Sequence, residues 1–503
     1  MEDDARTPGY AWYGLGILVL VYILNFVDRQ LLSILAEDIK RDLGMRDEDL
    51  GFLYGTAFGV FYALFGIPLG RLADQWHRVR LLASGLALWS AMTMVSGVSR
   101  GGAMLAAARV GVGVGEASAA PSAYSLISDW FPKRLRATAL AIYSAGLYIG
   151  GGVSLGIGAL IVQRWNAAYP VDPPLGLHGW QAAFLIVGLP GLLLALLVLT
   201  LREPARPGPA ARAPFAAFFA ELLTILPPLT LIGAARRGPR ALVANLAAVA
   251  LLIGFVAAAG AMGESVPQWS AWGIGVYAIF SWASALRERD PQAFALIVAN
   301  PAFLAVLVAY GLNAFLGYST SFWLAPYAER VLGEAKTTAG LIIGASGALG
   351  GFLGTTIGGA VADALRRRHP AGRVMVIIFG AIAPLPFIVT AFTTHSPAIF
   401  YAMVLPLTAL GSCALGAAAA TTQDLVLPRM RGTATATFLI GTTLLGLALG
   451  PYLAGRLSSA SGSLSLGVLG LLATVPIALG AAITAFRLVP RYEARVAALA
   501  TAP

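Results

Sequence analysis

The chain has 503 residues, 58% of them hydrophobic and 12% charged, with a formal net charge of +10. A soluble domain carries about 25% charged residues, and a mean hydropathy of +0.77 would leave far too much apolar surface in water. Composition therefore excludes a soluble enzyme, a nucleic-acid-binding protein, a disordered chain and a disulfide scaffold. It leaves a polytopic all-α membrane protein, because the apolar stretches run to ~20 residues rather than alternating over ~10 as in a β-barrel.

In chain order, apolar spans are predicted near 11–35, 48–72, 80–99, 103–128, 137–162 and 180–201. A second set lies near 301–325, 337–362, 374–393, 397–418, 432–455 and 464–487. The sets are joined by a Pro/Arg/Ala-rich linker (Arg202 to Pro214), a short apolar segment at 215–233, and two more apolar runs near 241–262 and 268–286. Each of those two runs is long enough to cross a ~30 Å hydrocarbon core. The predicted organisation is an N-terminal six-helix bundle (1–203), a linker with an inserted hairpin (204–300) and a C-terminal six-helix bundle (301–503). That gives about fourteen crossings; a hairpin lying at the interface is the alternative reading of the insert. Lysine and arginine are biased about three to one toward the segments that share a side with the N-terminus. By the positive-inside rule this puts both termini in the cytoplasm, so the basic charge needs no nucleic acid. The N-terminus, Met1-Glu2-Asp3-Asp4, lacks the basic region of a cleavable signal peptide. Ala/Gly/Arg-rich composition, short loops and the lack of an Asn-x-Ser/Thr site point to a bacterial inner membrane.

The two sets repeat. Gly70-Arg71-Leu72-Ala73-Asp74, with Arg78 and Arg80 behind it, matches Gly359-Ala360-Val361-Ala362-Asp363, with Arg366, Arg367 and Arg368. Pro132-Lys133-Arg134-Leu135-Arg136 matches Pro428-Arg429-Met430-Arg431. Such same-facing halves form a parallel repeat of the transporter kind.

Charges inside apolar spans are costly, roughly 2.5–3.5 kcal/mol each on insertion scales. Four stand out: Asp28 and Arg29 in the first span, Arg109 and Glu116 in the fourth. They sum to zero. Arg109 and Glu116 share one helical face about two turns, or ~10 Å, apart. Asp28 with Arg109 and Glu116 with Arg29 are both possible pairs, and the sequence does not choose. One reading is a coupling site: burial raises a carboxylate's proton affinity and a nearby arginine lowers it, so a change of partner can bind or release a proton. The other is a pair of neutral salt bridges that lock the two spans together. Asn25, Tyr62, Asn313, Tyr318 and Trp323 are candidate lining for a substrate cavity, although aromatic stripes serve packing and interfacial anchoring equally well. Such a site, polar on the first half against an apolar second half, would suit a cargo with a polar head and an apolar body. Cys413 stands alone and the four histidines show no ligand spacing, so no metal or cofactor is expected. No phosphate-binding Gly-rich loop or Ser/His/Asp set is present, so the chain is not expected to be an enzyme.

The Gly-x-x-x-Asp loops with trailing arginines resemble the signature loop of the major facilitator superfamily, and Arg109-x-x-x-Gly113-x-Gly115 is similar to its span-four motif. Asn25-Phe26-Val27-Asp28-Arg29, and Gly115-Glu116-Ala117 with Pro121, Asp129 and Phe131-Pro132, resemble the Spinster branch, which moves sphingolipids and lysophospholipids. The resemblance implies the major facilitator fold: two six-helix bundles in parallel pseudo-repeat, here with an inserted hairpin similar to that of peptide transporters and fourteen-span drug exporters. It also implies proton coupling and substrate contact at Asp28, Arg29, Arg109 and Glu116. Gating is implied at Asp74 with Arg78 and Arg136, and at Asp363 with Arg431. The expected function is proton-coupled secondary transport of an amphipathic lipid-like molecule by a monomer in the bilayer. The alternatives are an organic anion, sugar acid or drug as cargo, or a lipid-binding sensor without flux.

Overall fold

The structure, a computed structural model, describes residues 9–204 and 214–501. Most of the predicted linker, with Arg206 and Arg212, lies outside the described residues, as does Arg6. Helices follow one another with short turns, which satisfies every backbone group locally, as a bilayer demands. In chain order they are α1 (Gly9–Leu43), α2 (Asp47–Gln75), α3 (Arg78–Gly97), α4 (Gly102–Glu116), α5 (Ala119–Trp130), α6 (Lys133–Ala168) and α7 (Gly179–Val198). The middle section holds α8 (Pro214–Ile225), α9 (Leu229–Arg237), α10 (Pro239–Ala261), α11 (Val266–Arg289) and α12 (Pro291–Ile297). The second half contributes α13 (Pro301–Arg330), α14 (Lys336–Arg368), α15 (Gly372–Thr393), α16 (Pro397–Asp424), α17 (Pro428–Ser461) and α18 (Leu464–Leu499). Proline opens many of them, at a position whose N–H has no helical partner anyway. Gly44 and Gly462 close α1 and α17 with φ of +64° and +69°, a conformation that only glycine adopts without strain.

Twelve helices among the described residues are long and apolar enough to cross a membrane. The sequence reading gives fourteen crossings, and the difference has two local causes. The fourth span is broken at Ala117-Ser118 into α4 and α5, 15 and 12 residues long, so neither piece is long enough alone. Helix α11 has 24 residues but is diluted by Gln268, Trp269, Trp272, Tyr277 and the run Arg287-Glu288-Arg289. The segment predicted at 215–233 is a pair of short helices, α8 and α9, bent by 94°.

The chain forms two compact units that do not coincide with the sequence halves. Unit 1 takes residues 1–45, 65–221 and 328–348, and unit 2 takes 46–64, 222–327 and 349–503. Each unit thus receives the first part of the second helix of the other half. In unit 1, the borrowed segment is held by Arg330 on Glu37 (2.6 Å) and by Lys336 on Asp38 (3.0 Å) and Glu329 (2.8 Å). It also lies backbone to backbone on α6: a Cβ built on Gly344 would stand 2.2 Å from the carbonyl oxygen of Gly152. The glycines of α6 are therefore packing surfaces that let a helix approach this closely.

Candidate functional site

The four intramembrane charges all fall in unit 1, and the structure brings them together. Their scaffold is α1 packed on α6, and α3 on α4. Ser154 of α6 donates its hydroxyl to the carbonyl of Val27 (2.6 Å), which fixes the α1 backbone beside the charged pair. Glu116 is the last residue of α4, at the break. Ala117 and Ser118 turn back onto Gly113 and Gly115 by backbone hydrogen bonds of 3.2 Å each, and the Ser118 hydroxyl caps the Gly115 carbonyl at 2.8 Å. The break thus sets a carboxylate at a helix end inside the protein.

Of the two pairings the sequence allows, the structure shows Arg29 with Glu116 as a direct ion pair. Arg29 Nη2 lies 2.7 Å from Glu116 Oε2, and both side chains are withdrawn from solvent. The Arg29 guanidinium also sits 4.7 Å from the centroid of the Phe26 ring, a favourable cation–π position. Glu116 Oε1 has no hydrogen-bond partner among the described residues. Asp28 is wholly buried, and neither of its oxygens has one either. Arg109 is buried too and interacts electrostatically with both carboxylates, so the four groups form one cluster rather than two separate pairs. Asn25 is buried beside Glu116.

The other candidate lining residues lie in unit 2. Tyr62 is half-buried and stacks on Phe58. Tyr318 is half-buried. Asn313 is buried, its amide nitrogen close to Gly380 and without a hydrogen-bond partner among the described residues. Trp323 is fully buried and donates to the carbonyl of Pro451 (3.1 Å). Within the aromatic stripe, Tyr54 packs against Phe322 at 4.5 Å.

At the gating positions, Arg78, Arg136 and Asp363 have partners beyond those implied by resemblance. Asp74 and Arg431 are exposed, and Arg136 donates to the carbonyl of Ser128 (2.6 Å). Arg78 is buried at the start of α3 and gives Nη1 to Asp129 (2.5 Å) and Ser125 (2.8 Å), and Nε to Glu203 (2.8 Å). Glu203 in turn accepts the backbone N–H of Val79 (2.9 Å), so it caps the helix that Arg78 opens. In the second half Asp363 is held by Arg373 (2.9 Å), which also binds Asp424. Arg78 with Asp129 and Arg373 with Asp424 are the same pair in the two repeats, each spanning 51 residues. Sequence reasoning missed Asp424, Glu203 and Arg373 as members of these networks. The available signal was an Asp a few residues before the Pro-Lys-Arg and Pro-Arg turns of both halves. Arg78→Ala is expected to lose roughly 1.5–3 kcal/mol, since it strips charged hydrogen bonds from a buried position. Thermal unfolding in detergent measures this; an unchanged melting temperature would show the network to be slack.

Fold, repeat and an intramembrane charge cluster together define a secondary transporter. A sequence model of the Major Facilitator Superfamily matches residues 18–451, and the chain belongs to that family of transporters, which are not enzymes. It is similar to an MFS-type efflux pump of Mycolicibacterium smegmatis, 29% identical over 90% of this chain and 86% of the relative. It is similar to human protein spinster homolog 1, 24% identical over 90% of this chain and 74% of the relative. Among solved structures it resembles a bacterial homologue of the human lysosomal transporter Spinster, caught inward-facing and unoccupied. The TM-score is 0.68 and the identity 25%, covering 98% of this chain and 96% of that one. The chain is thus a Spinster-like, multi-pass membrane transporter with a small-molecule substrate.

Proposed function

We propose that this transporter is proton-coupled, works by alternating access, and moves an amphipathic lipid-like molecule of lysophospholipid or sphingoid type. Asp28, Arg29, Arg109 and Glu116 are its coupling site. The observation that carries the reading is the buried Arg29–Glu116 pair at 2.7 Å beside a buried Asp28 without a hydrogen-bond partner among the described residues. A buried carboxylate without a hydrogen-bond partner is costly to ionise, and a proton on Asp28 removes that cost. When substrate or a conformational step draws an arginine toward Asp28, the proton is released. Two carboxylates sharing two arginines therefore link proton binding to the position of the guanidinium groups.

The lipid-like cargo is supported by the Spinster similarity and by the charged cluster facing an otherwise apolar chain. A second reading keeps the coupling site and changes the cargo to an organic anion, sugar acid or drug; the likeness to the mycobacterial efflux pump over 90% of the chain favours it. Fourteen crossings, with α4–α5 and α11 counted, keep both termini on one side, and the lysine and arginine bias makes that side the cytoplasm of a bacterium whose inner membrane holds the protein as a monomer. In that orientation Asp74, Arg78, Arg136, Asp363 and Arg431 lie at the cytoplasmic ends and act as the gate, with Asp129, Arg373 and Asp424 as partners.

Uptake into proteoliposomes under an imposed pH gradient tests this, with labelled lysophospholipid, sphingoid lipid, a sugar acid and a cationic dye as cargo and Asp28→Asn as the blank. Gradient-driven movement of a lipid alone is expected. Movement of the sugar acid or dye alone would transfer the protein to the second reading. Binding of lipid without flux would leave a sensor.

A further inference from the structure

The inserted hairpin is bonded to both repeats at one place. Within unit 2, the first part of α2 and the middle of α17 run backbone against backbone. Cβ atoms built on Gly51 and Gly55 would stand 2.3 Å from the Pro451 carbonyl oxygen and 2.2 Å from that of Leu447. Asp47 and Ser458 add a buried hydrogen bond of 2.6 Å. Both helices are locally widened there into π turns, Phe52–Thr56 and Thr443–Leu447, a feature that recurs at functional sites. The second π turn sends the Ala448 N–H to Thr443 (2.9 Å) and leaves the Leu444 carbonyl to another donor.

Helix α11 supplies what these turns expose. Gln268, wholly buried, gives Nε2 to the Ala448 carbonyl (3.4 Å), and its Oε1 lies 2.7 Å from the Thr56 hydroxyl. That hydroxyl is also 2.5 Å from the same Ala448 carbonyl, so its one proton is shared between the two acceptors and three groups from three helices meet in one knot. Trp272 donates to the Leu444 carbonyl (3.2 Å). From the turn before α11, Glu264 binds Arg456 (3.3 Å) and accepts from Tyr452 (3.3 Å). Arg456 also faces Glu48 of α2 (3.9 Å).

We propose that α11 is a latch. It rests on the alternating-access reading, in which one repeat rocks against the other. The contact of α2 with α17 must then part once per cycle, and an element bonded to both partners holds it shut. Gln268 is the positioning residue: its amide serves Thr56 of the first repeat and Ala448 of the second. The insert therefore biases the transporter toward the conformation described here, and sets how often this end opens.

The test uses the full chain in detergent with Cys413→Ala and a probe cysteine at Ser458, which is buried in the contact. The readout is the rate of labelling by a soluble maleimide. Gln268→Leu is expected to speed labelling about fivefold, the effect of one lost net hydrogen bond. Glu264→Gln, a milder change in the turn, is expected to speed it as well, which guards against misfolding of the first variant. Tyr277→Phe removes a hydroxyl bonded to Thr230 and Asn245 within the middle section, and is expected to leave the rate unchanged. Gly55→Ala wedges the contact directly. If that variant speeds labelling while Gln268→Leu and Glu264→Gln do not, the latch is wrong and the contact still opens. If none of them changes the rate, the contact does not open and the alternating-access reading fails at this end.

Discussion

Glu116→Gln is expected to abolish gradient-driven uptake while leaving exchange of labelled for unlabelled substrate across the membrane intact. The amide matches the carboxylate in shape, and its oxygen can still accept the hydrogen bond from Arg29 Nη2 at 2.7 Å. Arg29 keeps its contact with the Phe26 ring. What is lost is the ability to take and give a proton. Exchange requires only that the substrate-loaded carrier switch between its outward- and inward-facing states, whereas accumulation requires proton movement with each cycle. A loss of at least about tenfold in driven uptake, or about 1.4 kcal/mol of coupling, with exchange preserved, is therefore the signature of a coupling residue. Equal loss of both would mean a folding or binding defect, and unchanged driven uptake would remove Glu116 from the mechanism.

Arg29→Met is expected to destabilise the protein by about 3–5 kcal/mol, the largest stability effect foreseen. The variant leaves the Glu116 carboxylate buried at 1% exposure without the cation that now lies 2.7 Å away. Combining it with Glu116→Leu should recover most of that loss, because replacing a buried pair with apolar groups of similar volume is close to neutral. Chemical unfolding in detergent of the two single variants and the double variant forms the cycle. The same double variant should fold and yet fail in driven uptake. Such a result separates the two readings the sequence leaves open: a pair that only locks α1 to α4 would be dispensable for coupling once stability is restored. A single variant that costs less than about 1 kcal/mol would mean that water reaches the pair and that the carboxylate is not held as drawn.

The charged cluster itself was legible because charge in an apolar span is conspicuous, but its pairing was not. Arg109 and Glu116 share one face of the same span, and Asp28 and Arg29 are neighbours, so both pairings satisfy the spacing. The structure pairs Arg29 with Glu116, which stands at a helix end before the break at Ala117-Ser118. Nothing in a continuous apolar run from 103 to 128 shows that break, although Gly113, Gly115 and Pro121 mark where it could fall. At the helix ends, the repeated loops pointed to Asp74 and Asp363, while the structure adds Asp129 as a partner of the buried Arg78 and Asp424 as a second partner of Arg373, which also holds Asp363. Asp129 and Asp424 lie 51 residues away from their arginines, and only the packing of α3 against α5, and of α15 against α16, brings them near. The π turns and the docking of Gln268 were invisible for a similar reason. A glutamine in a weakly apolar helix reads as dilution of a span until the carbonyl it serves is known.

Substrate-driven proton movement distinguishes a coupling site from a structural clasp. Proteoliposomes carrying a trapped pH-sensitive dye, with no imposed gradient, would be exposed to the cargo that the uptake panel identifies. A pH change inside the vesicles that scales with substrate flux is expected, and it is expected to disappear in Glu116→Gln and Asp28→Asn while substrate exchange persists. Transport of that cargo with no accompanying proton movement in the parent protein would contradict proton coupling, and would leave the Arg29–Glu116 pair as a structural clasp.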